Sequence, residues 1–255
     1  MFRLVPVVNA QYLEINGLQA AWGSNTTLTV ADGQARDSSN SYDIIVNTAA
    51  VGTTINGAIN GLNGLDTGAL ANNKMYYIYA IMDPAGFNPS GFIISLSSTV
   101  PQYPAGQFPS GYSASRLIGF ALTDGSAHFL LFYQSGNNSA RYYQYDAPVA
   151  VTVTASGTSA TYSAMDFSVA VPLVNFARVA MEWTWTNNAA GDSLNFQPTG
   201  GTGNAITKRG IVAGVIVEDQ GLILPLIATA KPEISYKTSA GTLNSVLVQG
   251  FEFNL

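Results

Sequence analysis

The stretch from Asn60 to Met82 constrains the fold more than any other part of the chain. Its first half contains the pairs Asn60-Gly61 and Asn63-Gly64, and Asn-Gly tolerates the positive φ that tight turns need. Its second half, Met75–Met82, is an apolar Tyr/Ile/Met run without a polar face. Such a run between turn signals predicts a strand that is buried on both faces. Periodicity alone leaves a short helix open, but three tyrosines and two isoleucines favour the strand.

Turn residues separate further short runs of alternating or apolar residues along the rest of the chain. We predict strands at 26–30, 42–46, 52–59, 92–96, 116–122, 128–133, 141–145, 149–154, 177–186, 211–217, 222–227, 233–237 and 243–253. A spacing of three and four nowhere sustains an amphipathic helix beyond about two turns. The predicted fold class is therefore all-β, with two antiparallel sandwich-like or barrel-like modules and an extended N-terminal arm.

Two predicted hairpins and one core strand follow from local pattern. Asp124-Gly125 lies between two apolar runs and predicts a hairpin of 116–122 with 128–133. The polar residues 218–221 predict a second hairpin, between 211–217 and 222–227. In 177–186 the apolar residues share one face and the polar residues the other, because side chains alternate along a strand. The apolar face consists of Val179, Met181, Trp183 and Trp185, and the polar face of Arg178, Glu182, Thr184 and Thr186.

Composition excludes several classes of partner and site. Of 255 residues 47% are hydrophobic and 10% are charged, which is not the composition of a disordered chain. A net charge of -5 gives no basic footprint for nucleic acid. The absence of cysteine excludes disulfides and Cys-ligated zinc. The N-terminal apolar run is too short for a signal peptide, and the apolar region 210–230 is interrupted by 218–221, so we predict no membrane insertion.

Residues with catalytic potential are few. His128 is the single histidine, and without a second histidine or a cysteine it does not found an ordinary metal site. Neither a Gly-x-Ser-x-Gly elbow nor a phosphate-binding loop with Lys-Ser/Thr occurs. Paired carboxylates of a glycan hydrolase would have to come from Asp166, Glu182, Asp192, Glu218 and Asp219. Three of these fall in predicted turns, and Glu182 faces outward, so we predict no catalytic residue, no metal and no cofactor.

The chain divides into three predicted parts. Residues 1–24 form an N-terminal arm, 25–148 an N-terminal β module and 149–255 a C-terminal β module. The junction between the modules is placed at 146–148, Asp-Ala-Pro, where turn residues precede a new Val/Thr alternation. The arm either packs on its own domain as a first strand or docks on a neighbouring subunit. The interface candidates for docking are Phe2, Leu4, Val5, Leu13, Ile15 and Trp22.

Several motifs follow one another in an order that resembles a known family. They are Asn63-Gly64-Leu65-Asp66-Thr67-Gly68 before a Tyr-rich strand, Pro109-Ser110-Gly111-Tyr112, Arg116-Leu117-Ile118-Gly119, Asp124-Gly125-Ser126, and Tyr145-Asp146-Ala147-Pro148. An upstream piece at 26–43 fits the same order, and 234–255 carries a weaker echo. Across roughly residues 13–148 the chain thus resembles tail-fibre and other virion proteins of tailed bacteriophages.

The resemblance implies a non-enzymatic structural component of a bacteriophage particle, as a tail fibre, head fibre or capsid decoration protein. Its partners would be itself, as a homotrimer, and other virion proteins, and its location the virion, assembled in the host bacterial cytoplasm. One alternative is a lectin-like module that binds host surface glycan through 149–255. Tyr142 and Tyr143 are weak glycan-contact candidates, one facing inward and the other outward. A glycan depolymerase is a further alternative.

Overall fold

A computed structural model describes residues 14–47, 54–99, 111–137, 140–174, 177–201, 206–214, 216–226 and 231–254. These residues form nineteen strands: β1 (Ile15–Gly17), β2 (Ala20–Ser24), β3 (Thr27–Val30), β4 (Gly33–Arg36), β5 (Asp43–Val46), β6 (Thr54–Asn56), β7 (Gly64–Leu65), β8 (Met75–Met82), β9 (Gly91–Ser95), β10 (Ala114–Leu122), β11 (Phe132–Asn137), β12 (Ala140–Val151), β13 (Ser163–Asp166), β14 (Ala177–Thr186), β15 (Ser193–Pro198), β16 (Ile206–Arg209), β17 (Ile216–Leu226), β18 (Glu233–Thr238) and β19 (Thr242–Asn254). One 3-10 turn, Ala155–Gly157, is the single helical element in these ranges. None of their helices could span a lipid bilayer.

The strands form five sheets, with the orders β1-β4-β5, β2-β3-β6, β10-β8-β9-β7, β11-β12-β19-β14-β17 and β13-β18-β15-β16. Neighbouring strands are antiparallel except β7 and β9, which are parallel. No sheet closes into a barrel within the described ranges. The predicted fold class is therefore confirmed at the level of a nearly all-β protein with several antiparallel sheets.

Two predicted core strands are confirmed by their burial. In β8 the six interior residues are all buried, and the strand lies between β10 and β9. In β14 the residues Val179, Met181, Trp183 and Trp185 are at most 1% exposed, while the polar residues between them are partly exposed. The alternation of side chains along β14 thus predicted correctly which face of the strand is buried.

The turn predicted at Asp124-Gly125 is present, but the predicted pairing of 116–122 with 128–133 is wrong. The chain does reverse there, with an isolated bridge between Thr123 and Phe129 and a hydrogen bond from the Leu130 N–H to the Leu122 carbonyl (2.8 Å). The next strand, β11, pairs with β12 instead of returning along β10, and β10 pairs with β8. A turn motif specifies the reversal, but long-range burial selects the partner strand.

The second predicted hairpin is also wrong, because 218–221 lies inside a single strand. β17 runs from Ile216 to Leu226 beside β14. The register shifts between the pairs Met181↔Leu222 and Trp183↔Asp219. The polar residues are therefore accommodated as a β-bulge, which inserts an extra residue without reversing the chain.

A bent hairpin opens the described part of the chain. Residues 15–24 pair with 27–36 through two sheets, since β1 pairs with β4 and β2 with β3. At the bend, Gly17 and Leu18 have left-handed φ values of 70° and 54°, and the Leu18 N–H still donates to the Asp32 carbonyl (3.2 Å). Strands commonly change from one sheet to another at such corners. We call Gly17 and Leu18 the corner.

The two predicted modules share strands and core. β12 continues through 146–148, where its pairing with β19 shifts register between Gln144 and Val149. Proline and turn residues are tolerated at such an irregularity, so the predicted junction lies within a strand. Across it, the Phe120 ring packs against those of Phe251 and Phe253, with centroids 5.9 and 4.7 Å apart. One hydrophobic cluster includes residues from both sides.

Candidate functional site

The two glycan-contact candidates occupy very different positions. Tyr143 is fully buried, and its ring is stacked between those of Phe132 and Phe251, with centroids at 4.5 and 4.8 Å. Burial raises the pKa of the Tyr143 hydroxyl, as desolvation of an acid does. Tyr142 is partly buried. Tyr143 is thus the inward-facing residue of the pair and belongs to the core, and the weak glycan-contact prediction stays with Tyr142.

Of the interface candidates, Phe2, Leu4, Val5 and Leu13 lie outside the described residues. Ile15 is fully buried in β1. Trp22 is partly buried in β2, and its indole N–H donates to the Phe129 carbonyl (3.0 Å). Residues 14–24 therefore belong to the bent hairpin of their own chain, and Ile15 leaves no surface for a neighbouring subunit. For these residues the first-strand alternative is the correct one.

A buried arginine holds the corner. Arg141, in β12, is 1% exposed, and its guanidinium donates to the carbonyls of Gly17 (2.6 Å), Leu18 (2.9 Å) and Ile118 (2.7 Å). Two of these carbonyls are at the corner, and that of Gly17 points away from β4 by the alternation of an antiparallel ladder. The third lies at the bulge of β10, between Leu117 and Gly119. Arg141 therefore joins the bent hairpin, β10 and β12 through three backbone acceptors.

Burial lowers the pKa of Arg141 to about 10, because removal from water disfavours the charged form. The guanidinium is nevertheless protonated at neutral pH, and its two terminal nitrogens donate the three hydrogen bonds above, while its Nε is buried without an acceptor among the described residues. Since its terminal nitrogens are engaged with carbonyl groups inside the protein, this cation is structural and is not placed to bind an external anion.

The loop after β8 is fixed by one carboxylate. Asp83 is buried, and it accepts hydrogen bonds from the backbone N–H of Ala85 (2.9 Å) and from the backbone and side-chain nitrogens of Asn88 (3.2 and 2.8 Å). Burial alone would raise the pKa of Asp83, but these hydrogen bonds together hold it below its usual value. Between the two anchored residues, Phe87 is 89% exposed. Asp83 thus orders the loop, while the Phe87 side chain that the loop carries contacts little of its own chain.

A second loop has the same design with a buried amide. Asn187 is 1% exposed, and its side-chain nitrogen donates to the carbonyls of Ala189 (2.9 Å) and Val212 (2.8 Å). The backbone carbonyl of Asn187 accepts from the Gly214 N–H (2.9 Å), while its side-chain oxygen is buried without a hydrogen-bond partner among the described residues. The loop between β16 and β17 is thereby held in place while Ile211 and Val212 are 87% and 58% exposed. We call Phe87, Ile211 and Val212 the apolar tips.

The carboxylates considered for glycan hydrolysis are engaged in structural contacts where they are described. Asp166 pairs with Lys231 (2.9 Å), Glu182 accepts from the Gln249 side chain (3.0 Å), and Asp192 accepts from the N–H groups of Asn188 and Ala189. The prediction that Glu218 and Asp219 lie in a turn is wrong, because both are in β17.

His128 lies beside a carboxylate on the surface. Its Nδ1 is 3.6 Å from Asp124 Oδ2, with both side chains partly exposed, and the His128 backbone N–H donates to the same carboxylate (2.9 Å). Hydrogen bonds from the N–H groups of His128 and Ser126 lower the pKa of Asp124. In the described part of the chain no three His, Asp or Glu side chains converge on a point that could hold a metal ion.

Described residues also line two open grooves. One, of about 500 Å³, lies between the end of β12 and the first half of β19. The other, of about 450 Å³, crosses β1, β4 and β5. In the second groove the Asn16, Gln34 and Ile45 side chains form one outward row, because these residues are opposite one another in register. All three are exposed. We call this the amide groove.

Sequence reasoning missed Arg141, Asn187 and the apolar tips. One signal for Arg141 was available, because alternation places it on the same face as Tyr143 and Tyr145. The anchoring role of Asn187 depends on a residue 25 positions away, and no local pattern reports such a contact. Phe87 follows the turn signal Asp83-Pro84-Ala85-Gly86, which predicts a loop but not the exposure of its tip.

Comparisons with known proteins do not identify a family for this chain. The chain matches no model of a protein family, no curated protein and no solved structure. The fold, the corner and the apolar tips are therefore the observations on which a function has to be argued.

Proposed function

We propose that this chain is a non-enzymatic structural component of a bacteriophage particle, a tail-fibre, head-fibre or decoration protein that acts through subunit interfaces as a homotrimer. The motif order resembling such proteins motivates the assignment, and one observation supports it. Large apolar side chains, Phe87 and Ile211, are 89% and 87% exposed on loops that buried polar groups keep ordered.

The two ordered loops present their apolar side chains in a form that suits binding to a partner surface. Ordering a loop costs conformational entropy, and burying a polar side chain such as Asp83 or Asn187 costs free energy that its hydrogen bonds offset. The Asp83 carboxylate accepts three such bonds, and the Asn187 side-chain nitrogen donates two. In an isolated chain this arrangement presents apolar side chains to water. Against a partner surface the same side chains would be desolvated as preorganised anchors, and such anchors carry most of the binding free energy of an interface.

The proposal includes a sandwich-like arrangement of the two sheets that contain β12 to β19. Trp183 of β14 and Phe196 of β15 are both buried, and their rings are 5.7 Å apart. The Tyr236 hydroxyl of β18 donates to the Thr154 carbonyl beyond the end of β12 (2.5 Å). These contacts connect the inner faces of the sheets, as in sandwiches whose cores interdigitate.

A lectin-like module that binds host glycan is the second candidate, and the amide groove favours it. The side chains of Asn16 and Gln34 are exposed beside Ile45, which is 61% exposed. Amide groups can pair with sugar hydroxyls, while an apolar side chain contacts the C–H face of a sugar ring. The groove is on β1, β4 and β5, whereas the sequence analysis placed glycan binding in 149–255.

Counting copies in purified particles tests the structural proposal. We expect mass spectrometry with isotope-labelled peptides of this chain to find it in tailed-phage particles in multiples of three. Hundreds of copies would assign it to the head, and about three to eighteen to the tail, on the closed-symmetry logic of assemblies. Absence from the particle contradicts the proposal, and selective binding of the purified chain on a glycan array would then favour the lectin.

Truncating one apolar tip should weaken the homotrimer. Phe87→Ser is expected to raise the dissociation constant about 30-fold or more, since a central anchor contributes about 2 kcal/mol or more. Light scattering across a dilution series measures this change, with Phe87→Leu as a matched variant that keeps most of the apolar contact. At concentrations where both chains are monomeric the melting temperature should not change, because Phe87 contacts little of its own chain; at higher concentration it should fall with the loss of association. An unaltered trimer, or a wild-type chain that is monomeric at all concentrations, rules out this interface.

A further inference from the structure

Four Asn-Gly pairs occur in the described chain, at Asn16, Asn56, Asn60 and Asn63. Asparagine is chemically labile, and before glycine its side chain is least shielded. In this reaction the glycine backbone nitrogen attacks Cγ of the asparagine, a five-membered succinimide closes, and ammonia leaves. Water then opens the ring to aspartate or isoaspartate. The attack requires a glycine N–H that is not hydrogen-bonded and a peptide plane that can rotate towards the side chain.

At three of the four pairs, the fold keeps the attacking glycine nitrogen in a hydrogen bond. The glycine N–H after each asparagine is a hydrogen-bond donor: Gly57 to the Thr26 carbonyl (2.8 Å), Gly61 to the Leu65 carbonyl (2.8 Å) and Gly64 to the Gly61 carbonyl (2.9 Å). All three glycines are buried. Rotation of these peptide planes would therefore break at least one backbone hydrogen bond at the nucleophile itself.

Two of these three asparagine side chains are also held. The Asn56 side-chain oxygen accepts from the Ala58 N–H (2.9 Å), and the Asn63 side-chain oxygen accepts from the Phe92 N–H (3.0 Å). The Asn63 carbonyl in addition accepts from the Asn56 N–H (2.8 Å). Asn60 has an exposed side chain and is protected by the bonded Gly61 nitrogen.

Asn16-Gly17 differs at both reacting groups. The Asn16 side chain is exposed and makes no hydrogen bond with the described residues. The Glu14 carbonyl accepts from the Arg36 N–H at the end of β4, and the Leu18 N–H donates to Asp32, the residue before β4. Alternation between these two bonded positions directs the backbone groups of Asn16 towards β4 and those of Gly17 away from it. The Gly17 carbonyl accordingly bonds Arg141, while the Gly17 N–H has no acceptor among the described residues. Moreover, β1 is a three-residue edge strand, the kind of element that opens locally at low cost.

We propose that Asn16 is a site of spontaneous deamidation in the folded protein, ahead of the other three Asn-Gly pairs. The reaction consumes one water, releases one ammonia and leaves one additional negative charge in the amide groove. Where the ring opens to isoaspartate, the backbone gains a methylene immediately before the corner. The Gly17 and Leu18 carbonyls would then no longer meet the Arg141 guanidinium in their present positions.

Peptide mapping of the folded chain during incubation at mildly alkaline pH tests the proposal. We expect the conversion of amide to carboxyl at Asn16 to be at least about fivefold faster than at any other pair, the factor by which one net backbone hydrogen bond changes a population. In denaturing urea the four rates should converge, because the protection belongs to the fold. The other three pairs are thus internal controls within one sample.

Asn16→Gln supplies the matched variant. Its exposed side chain has no partner to lose, so the variant should fold with an unchanged melting temperature and lack the earliest acidic species on ion exchange. Equal rates at the four sites in the folded chain, or a faster rate at Asn56, Asn60 or Asn63, would overturn the proposal. The readout is independent of the oligomer and of any particle.

Discussion

Replacing Arg141 with methionine is expected to lower the free energy of unfolding by about 3–5 kcal/mol, the range for removing a buried charged group and leaving its partners unpaired. Three carbonyls, those of Gly17, Leu18 and Ile118, now accept from this side chain at 2.6 to 2.9 Å. Methionine fills a similar volume but donates nothing. Urea unfolding followed by tryptophan fluorescence measures the loss as a lower midpoint at unchanged slope.

Arg178→Met is the matched control for that experiment. Arg178 is on the outward face of β14, where its guanidinium is 3.5 Å from Glu252 and both side chains are partly exposed. An exposed ion pair contributes about 0–1 kcal/mol, so this variant should unfold close to the wild type. If Arg141→Met were equally stable, the three carbonyls would have to find other donors, and the account of the corner would fail.

Tyr143→Ala is expected to cost about 3–5 kcal/mol, as for other large aromatic truncations in a core. The Tyr143 ring is stacked between Phe132 and Phe251, so its removal leaves a cavity where β11, β12 and β19 meet. The same urea titration measures this loss. Because a well-packed core collapses only partly around a cavity, neighbouring rings are not expected to refill the space.

Tyr143→Phe separates packing from the hydroxyl group. It keeps both stacked contacts and removes a hydroxyl that is buried without a hydrogen-bond partner among the described residues. Because no hydrogen bond is lost, we expect it to be at least as stable as the wild type. A surface residue that binds glycan would show the opposite pattern, with stability unchanged in either variant. A stable Tyr143→Ala chain would therefore contradict the buried position.

Local pattern predicted the longer buried strands, but it missed short ones such as β13, β15 and β16 and did not predict which strands pair. The strand Met75–Met82 and the two faces of 177–186 follow from apolar runs and alternation, which are properties of neighbouring residues. The predicted pairing of 116–122 with 128–133 failed because β10 instead pairs with β8, some 40 residues earlier in the chain. Similarly, 218–221 contains turn-forming residues, yet a long partner strand, β14, holds it as a bulge. Pairing is decided by burial across the whole fold.

The candidate site was even less accessible to sequence reasoning. Six apolar residues of the N-terminal segment were predicted to be interface contacts, and the one described as fully buried, Ile15, is in the core. An amphipathic or apolar segment is consistent with packing on its own chain or on another, and only coordinates distinguish the two. The exposed position of Phe87 depends on Asp83, which anchors the loop. The hydrogen bonds of Asp83 in turn depend on backbone directions that composition does not encode.

The position of β19 has a consequence for biosynthesis. This strand is the last described one in the chain, yet it lies in the middle of its sheet, between β12 and β14. During translation β12 and β14 leave the ribosome before β19. Until β19 follows, each has an unpaired edge, which is prone to pair with the wrong chain. A ribosome that stalls before Thr242 would therefore release a nascent chain without its central strand, and that product would be a substrate for chaperones or proteases.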